Sequence, residues 1–224
     1  MDHVMLPQIE NEALATSDLI AGSLLLGGGE SLSSGAITTA ISVGNLGGIR
    51  VRARAAGGLA YVALESTGAH AEWPDTIDRT SGEVVYFGEN RTNEKPAHEK
   101  KGNRHLISAF SIPLATPTER ASVPVFFVFG PPPSDAPGRS AVFEGLAVPG
   151  DRTAPEEWCI TRVFRPAGAA PFDNVVVRLT LLADRTIRRA WLDDLVNGQP
   201  ISANAPDWYR WWVQSGERVP LCRR

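Results

Sequence analysis

The sequence predicts a mainly β protein of the α+β class, a strongly curved sheet or barrel flanked by a few helices, two of them near the C-terminus. Three observations carry this expectation. The 21 Gly and 17 Pro are spread through all 224 residues, as in many short elements joined by tight turns. Several runs are wholly apolar or alternate with period two, which is strand patterning. Helical spacing with a glycine stop is clearest near the end of the chain. Curling the sheet is the natural way to hide so many strand edges.

Taken in order, residues 13–26 read as a short helix over Ala13–Leu19 and a strand near Ser23–Leu26. GGGESLSSG (27–35) is a flexible loop, since glycine and serine carry little that packs. It lacks the lysine of a phosphate-binding loop. AITTAISVG (36–44) is a helix that stops at Gly44. After a glycine turn, Ile49, Val51, Ala53 and Ala55 alternate with Arg50, Arg52 and Arg54, so one strand face is buried and the other carries guanidinium groups. LAYVALEST (59–67) is a strand; 72–90 is a loop, a turn at TSG and a strand at Glu83–Phe87. The stretch 91–104 is a polar, basic loop, followed by a helix at HLISAFSIP. VPVFFVFG (123–130), almost wholly apolar, is a central strand; PPPSDAPG (131–138) is a loop. Further strands lie in 140–150, 158–166 and 172–183. The two C-terminal helices lie in 186–198 and 205–216, with Gly198 and Gly216 as stops and Pro206 near the second start.

Composition bounds the function. A chain with 43% hydrophobic and 21% charged residues is globular, and its length allows one large domain or two small ones. The formal net charge of -3 excludes a protein that coats nucleic acid by charge alone, though not a local basic face. Cys159 and Cys222 are too few for a disulfide scaffold and lack metal-ligand spacing. No apolar run approaches the roughly 20 residues of a membrane helix, and the first residues carry acids where a signal peptide carries Lys or Arg. The expectation is an untargeted, cytoplasmic protein with no membrane partner, no metal and no cofactor.

No nucleophile elbow, Walker loop, HExxH or dinucleotide fingerprint occurs. The informative stretch is 73–104, where Trp73, Asp75, Tyr86, Phe87, Gly88, Glu89, Asn90 and Arg91 lead to Gly102, Asn103 and Arg104. Interleaved aromatic, acidic and basic residues suit a pocket for a flipped base. Aromatic faces stack on the base, a carboxylate accepts from an amino-bearing edge such as that of cytosine, and basic loops hold phosphates. The bland alternative makes Trp73 and Tyr86 core anchors.

Several segments resemble the N-terminal domain of the AspBHI/MspJI type of modification-dependent restriction endonuclease, which is related to SRA domains. They are GNLGGIR (44–50), EWPDTIDRTSGEVVYFGENR (72–91), KKGNRHL (100–106), VFEGLAVPG (142–150) and the run 189–216, in the family's order. The resemblance implies an SRA-like curved β-barrel over residues 1–224 as a single domain. It implies double-stranded DNA containing 5-methylcytosine or 5-hydroxymethylcytosine as partner, recognised by base flipping. It also implies that the domain is not itself an enzyme, the cutting being done by a nuclease domain that follows it in the full-length protein.

Under this resemblance Trp73, Asp75, Tyr86, Phe87, Gly88 and Glu89 line the base pocket. Trp73 and Tyr86 sandwich the base, and either Asp75 or Glu89 reads its edge; the family commonly has Asp where this chain has Glu89. The family often has Gln where this chain has Leu46, which cannot hydrogen-bond a base but can touch a methyl group. DNA contacts are expected from Asn45, Leu46, Arg50, Arg52, Asn90, Arg91, Lys95, Lys100, Lys101, Asn103, Arg104, Arg188 and Arg189. Trp191, Trp208, Trp211 and Trp212 are expected to pack helices rather than read bases. Two other classes remain: a protein-interaction module using the tryptophan-rich tail, and a small-molecule hydrolase or transferase with Asp75 or Glu89 as general base.

Overall fold

The computed structural model describes residues 6–29, 34–68, 74–90, 95–151, 159–163 and 172–222. Twelve strands run in chain order among these residues: β1 Gln8–Ile9, β2 Leu19–Ile20, β3 Leu24–Leu25, β4 Ile49–Ala53, β5 Leu59–Glu65, β6 Thr76–Asp78, β7 Glu83–Phe87, β8 Val125–Gly130, β9 Ala141–Pro149, β10 Cys159–Val163, β11 Phe172–Leu181 and β12 Thr186–Ile187. The helices are α1 Ala36–Ile41, α2 Lys101–Phe110, α3 Pro117–Ser122, α4 Arg189–Val196 and α5 Asp207–Ser215. The main sheet has the order β4-β5-β8-β9-β11-β7-β6, with β3 on β9, β1 on β3 and β10 on β11.

The centre of the sheet follows from the apolar run in β8. It pairs parallel to β5 and antiparallel to β9, and every residue of it is buried. Neighbouring strand residues point to opposite faces. Phe126 therefore meets Phe110 of α2 at 5.5 Å, while Phe127 meets Trp191 of α4 at 6.5 Å. Helices thus cover both faces, which is why no polar residue interrupts the run. Trp191 and Trp212 are fully packed with Tyr209, as expected, whereas Trp208 and Trp211 are 40% and 47% exposed on the outer side of α5.

The backbone ladder does not close into a barrel among the described residues; β4 and β6 end its path. Side chains span the gap instead. Ile49 N–H, at the start of β4, donates to Glu89 just beyond β7 (3.1 Å), and Tyr86 Oη on β7 donates to Glu65 O at the end of β5 (3.3 Å).

Three differences from the sequence reading have local causes. The helix expected at Ala13–Leu19 is only a 3-10 turn at Asn11–Ala13, followed by β2. α1 stops before Gly44, because Ser42 takes the left-handed conformation (φ 52°) and its N–H closes on Thr38 O. The end of the expected basic loop is helical: Lys101 to Arg104 form the first turn of α2. α3 and β6 were not anticipated, although Thr116, Pro117 and Glu119 form a capping box that marks α3 in the sequence.

The start of α5 is capped from outside. Asp184 accepts from Trp208 N–H (3.0 Å) and Tyr209 N–H (2.9 Å), and burial raises its carboxyl pKa. Its other end is held by Arg120, whose Nε and Nη2 donate to Val213 O (2.8 Å) and Gln214 O (2.9 Å), with Nη1 on Leu114 O at 2.7 Å. Arg120 is buried, so Arg120→Leu strands three carbonyls and removes a cation from a helix C-terminus. It is expected to cost about 1–3 kcal/mol, read as a lower denaturation midpoint. An unchanged midpoint refutes the clamp.

Candidate functional site

The site is a cavity of about 450 Å³ between the end of β5, the turn before β4 and the end of β7. That is the size of a ligand pocket of about 300–1,000 Å³. Its position follows from the sheet: this is where the ladder leaves a gap and side chains bridge it. Two glycines make the approach possible. An added Cβ at Gly47 (φ 83°) would lie 2.8 Å from Glu89 Oε1, and one at Gly48 would lie 2.7 Å from Tyr86 Oη.

Asp75 forms part of the wall. It accepts from Phe87 N–H (2.8 Å) and from the Ser66 hydroxyl. Burial outweighs both hydrogen bonds, and its carboxyl is pushed up to about 6. Tyr86 is buried, and its phenol is held well above its ordinary value, first by burial and then by the charges of Asp75, Glu89 and Glu65. Phe87 is half-buried beside it and also lines the cavity.

Glu89 stands differently from Asp75. One of its oxygens is committed to Ile49 N–H, and its carboxylate lies against Gly102 at the start of α2. Its own N–H donates to Asn103 Oδ1 at 2.7 Å. Glu89 therefore ties β7, β4 and α2 together while forming one wall. Arg50 is likewise engaged within the protein. Expected on a phosphate, its side chain is only 11% exposed; it pairs with Glu65 and donates through Nε to Gly47 O (2.9 Å).

Behind the cavity lies a cluster of buried asparagines. Asn174 Nδ2 donates to Gly88 O (2.9 Å), and its Oδ1 accepts from Asn90 N–H and Asn103 Nδ2, both at 3.3 Å. Asn90 Nδ2 donates to Asp173 O (2.6 Å) and Lys95 O (3.3 Å), and Asn103 Nδ2 also donates to Ala97 O (2.8 Å). This cluster holds Gly88, Glu89 and Asn90 in place. Asn90 and Asn103 were expected on DNA; both side chains are buried in the structure and bond to backbone groups. Arg189 is likewise turned inward, its guanidinium on the carbonyls of Leu14, Ser17 and Ala40. It lines a second cavity with Arg52 and Tyr61, apart from the first.

The remaining expected contacts lie at the surface. Asn45 and Leu46 are exposed on the turn at the cavity mouth, Leu46 at 70%. Arg52 is exposed and donates to Ser42 O at 3.2 Å. Lys95, Lys101, Arg104 and Arg188 are exposed, and Lys100 is half-exposed at the N-cap of α2. Trp73 and Arg91 lie outside the described residues. The sequence reading missed Glu65, Ser66 and Thr67, which continue β5 into the cavity, and Asn174. The signals for them were a charge closing an apolar strand at Glu65 and an amide interrupting the apolar run of β11.

Among the described residues no group of three His, Cys, Asp or Glu side chains is placed to hold a metal ion. No helix among them is long and apolar enough to cross a membrane.

Comparison with known proteins adds the following. The sequence model of the family described as restriction endonuclease AspBHI N-terminal matches residues 25–224. The structure resembles the DNA modification-dependent restriction endonuclease AspBHI with a TM-score of 0.82 and 28% identity, over 97% of this chain and 100% of that one. It resembles the DNA recognition domain of the cytosine modification-dependent restriction endonuclease LpnPI with a TM-score of 0.83 and 26% identity, over 100% and 99%. It shares its fold with the MspJI restriction endonuclease solved in complex with a 27-mer oligonucleotide (TM-score 0.66, 21% identity), over 95% of this chain and 56% of that one. No curated protein sequence matches the chain.

Proposed function

The chain belongs to the family of restriction endonuclease AspBHI N-terminal domains, the DNA recognition part of such enzymes and not the catalytic part, and from this premise we propose that it takes a modified cytosine out of double-stranded DNA into the cavity at Asp75. In this reading residues 1–224 are one recognition domain that directs a nuclease domain to modified sites. The observation that carries it is a carboxylate set in the wall of a cavity large enough to admit a base, next to Tyr86 and Phe87, with an exposed leucine on the adjoining turn.

Asp75 accepts from the exocyclic amino group of the extruded cytosine, a donor that thymine lacks. Glu89 is already bonded to Ile49 N–H and keeps the wall in place. The ring of Tyr86, with Phe87 and Trp73, supplies stacking surface. Extrusion costs a few kcal/mol of stacking and pairing. Leu46 offsets part of it by filling the space the base vacates, as apolar wedges do. Lys101 and Arg104, exposed on the first turn of α2 next to Glu89, meet phosphates, and Arg52 meets one further along β4, a local use of positive charge that the net charge of -3 allows.

The test is a titration at two salt concentrations with matched duplexes carrying cytosine, 5-methylcytosine or 5-hydroxymethylcytosine at one position. Tighter binding to a modified duplex is expected, with affinity falling steeply with salt. Equal binding to all three duplexes refutes the modified-cytosine pocket. Leu46→Ala is expected to weaken binding of the modified duplex about 5- to 30-fold, a loss of about 1–2 kcal/mol. Thermal stability is expected to change little, because Leu46 is 70% exposed in the free protein. Unaltered affinity removes the wedge from the mechanism.

A second reading has its own observation: Trp208 and Trp211 leave an aromatic face on α5. Exposed aromatic anchors favour protein contact. Trp208→Ala with Trp211→Ala leaves duplex binding intact if that face serves a protein partner rather than DNA.

A further inference from the structure

The substituent on carbon 5 of the bound cytosine meets whatever lines the cavity in the plane of the ring. Aromatic rings serve the two faces of a base, so they are taken up by stacking. Of the ten described lining residues, three are glycines, two are aromatic, and the other five are Arg50, Glu65, Thr67, Asp75 and Glu89. No aliphatic residue is among them; apolar contact on this edge comes from the methyl of Thr67 and the methylenes of Arg50, Glu65 and Glu89. A methyl substituent gains only by apolar contact, and these side-chain stems are what it meets. A hydroxymethyl substituent needs a hydrogen-bond partner once water is displaced, and here it finds several.

Resting on the base-flipping reading, we propose that this cavity prefers 5-hydroxymethylcytosine to 5-methylcytosine, with Thr67 and Glu65 as partners of the hydroxyl group. In cytosine the C5 substituent sits next to the C4 amino group, so it lies near whatever flanks the group that reads the amine. Asp75 is bonded on one side to Phe87 N–H and on the other to Ser66. Phe87 belongs to the stacking wall; Ser66 lies between Glu65 and Thr67, both of which line the cavity. Glu65 is held there by Arg50. A carboxylate has about four acceptor sites, so the ion pair leaves it able to take a further proton donor. Thr67 is exposed at the edge of the cavity and brings a hydroxyl that can donate or accept.

The experiment is a competition between matched duplexes bearing cytosine, 5-methylcytosine or 5-hydroxymethylcytosine, run on the parent, Thr67→Val and Glu65→Gln. Valine keeps the branched shape of threonine and exchanges its hydroxyl for a methyl group, and at an exposed position it does not threaten the fold. The parent is expected to bind the hydroxymethyl duplex about three- to ten-fold more tightly than the methyl duplex. Thr67→Val is expected to cancel or reverse that ratio. Glu65→Gln is expected to reduce it. A parent that binds the methyl duplex as tightly or more tightly overturns this inference and leaves the modified-cytosine reading standing. A ratio that survives in both variants also overturns it. Failure to distinguish either modified duplex from plain cytosine overturns the base-flipping reading itself.

Discussion

Asp75→Asn is expected to lose the modified duplex and gain stability in the same variant. The binding loss is expected to be about ten- to a hundred-fold, the worth of a hydrogen bond to a charged group, about 1.5–3 kcal/mol. The amide oxygen can still accept from Phe87 N–H, so the local fold survives. The stability gain comes from burial. The carboxyl of Asp75 sits at about 6 in the folded protein, above the 3.8 of the free side chain. Between those two values the folded state holds a proton that the unfolded state has released. Stability therefore falls as pH rises from about 4 to about 6, and the cost is complete above that. Two pH units correspond to about 3 kcal/mol as an upper bound. Asp75→Asn is expected to recover part of it at pH 8 and none at pH 4, read from denaturation midpoints. Duplex affinity of the parent is expected to weaken as pH falls through about 6, while the variant shows no such step. A variant that binds normally, or whose midpoint shift is the same at both pH values, contradicts the assignment of Asp75.

Asn174→Ala is expected to be the most damaging single change near the site. It leaves Gly88 O and Asn90 N–H without the side-chain partner each has in the folded protein and takes one of two acceptors from Asn103 Nδ2, which keeps Ala97 O. Each buried group stranded costs about 1–3 kcal/mol, so about 2 kcal/mol or more is expected in total. That is a large part of the net stability of a domain, about 5–15 kcal/mol. The segment that carries Glu89 loosens with it, so the folded fraction at low temperature is also expected to bind duplex more weakly. Denaturation and low-temperature binding measured together decide the matter. A stable variant with a working pocket means that the asparagines do not hold the wall.

Much of the fold was legible because its signals are local. The apolar run 123–130 marked a central strand, and β8 lies between β5 and β9 with every residue buried. The strand expected at Glu83–Phe87 is β7 to the residue. Helix α5 ends where Gly216 supplies the left-handed C′ residue. The short elements were less legible. β6 has three residues, too few for a period to show, and it exists because β7 offers an edge to pair with.

For the site, residue types alone brought Asp75, Tyr86, Phe87, Gly88 and Glu89 into one place, and the structure sets all five around one cavity. Side-chain roles were another matter. Asn90, Asn103, Arg50 and Arg189 looked like DNA contacts because polar and basic residues usually face water. In the structure they are spent on buried backbone carbonyls and on Glu65, partners that come from distant parts of the chain. Sequence patterning reports whether a residue type suits a face of a strand or helix, because that depends on neighbours two to four positions away. It does not report which buried carbonyl lacks a donor. Asn174 lies 86 positions from Gly88, and Asp75 meets Ser66 only where the ends of β5 and β7 face each other across the gap in the sheet. The strands, the C-terminal helices and most of the residues around the cavity were therefore written in the chain. The different bonding of Asp75 and Glu89, and the turning of Asn90, Asn103, Arg50 and Arg189 toward partners within the protein, were decided by which unpaired groups the folded sheet left to be satisfied.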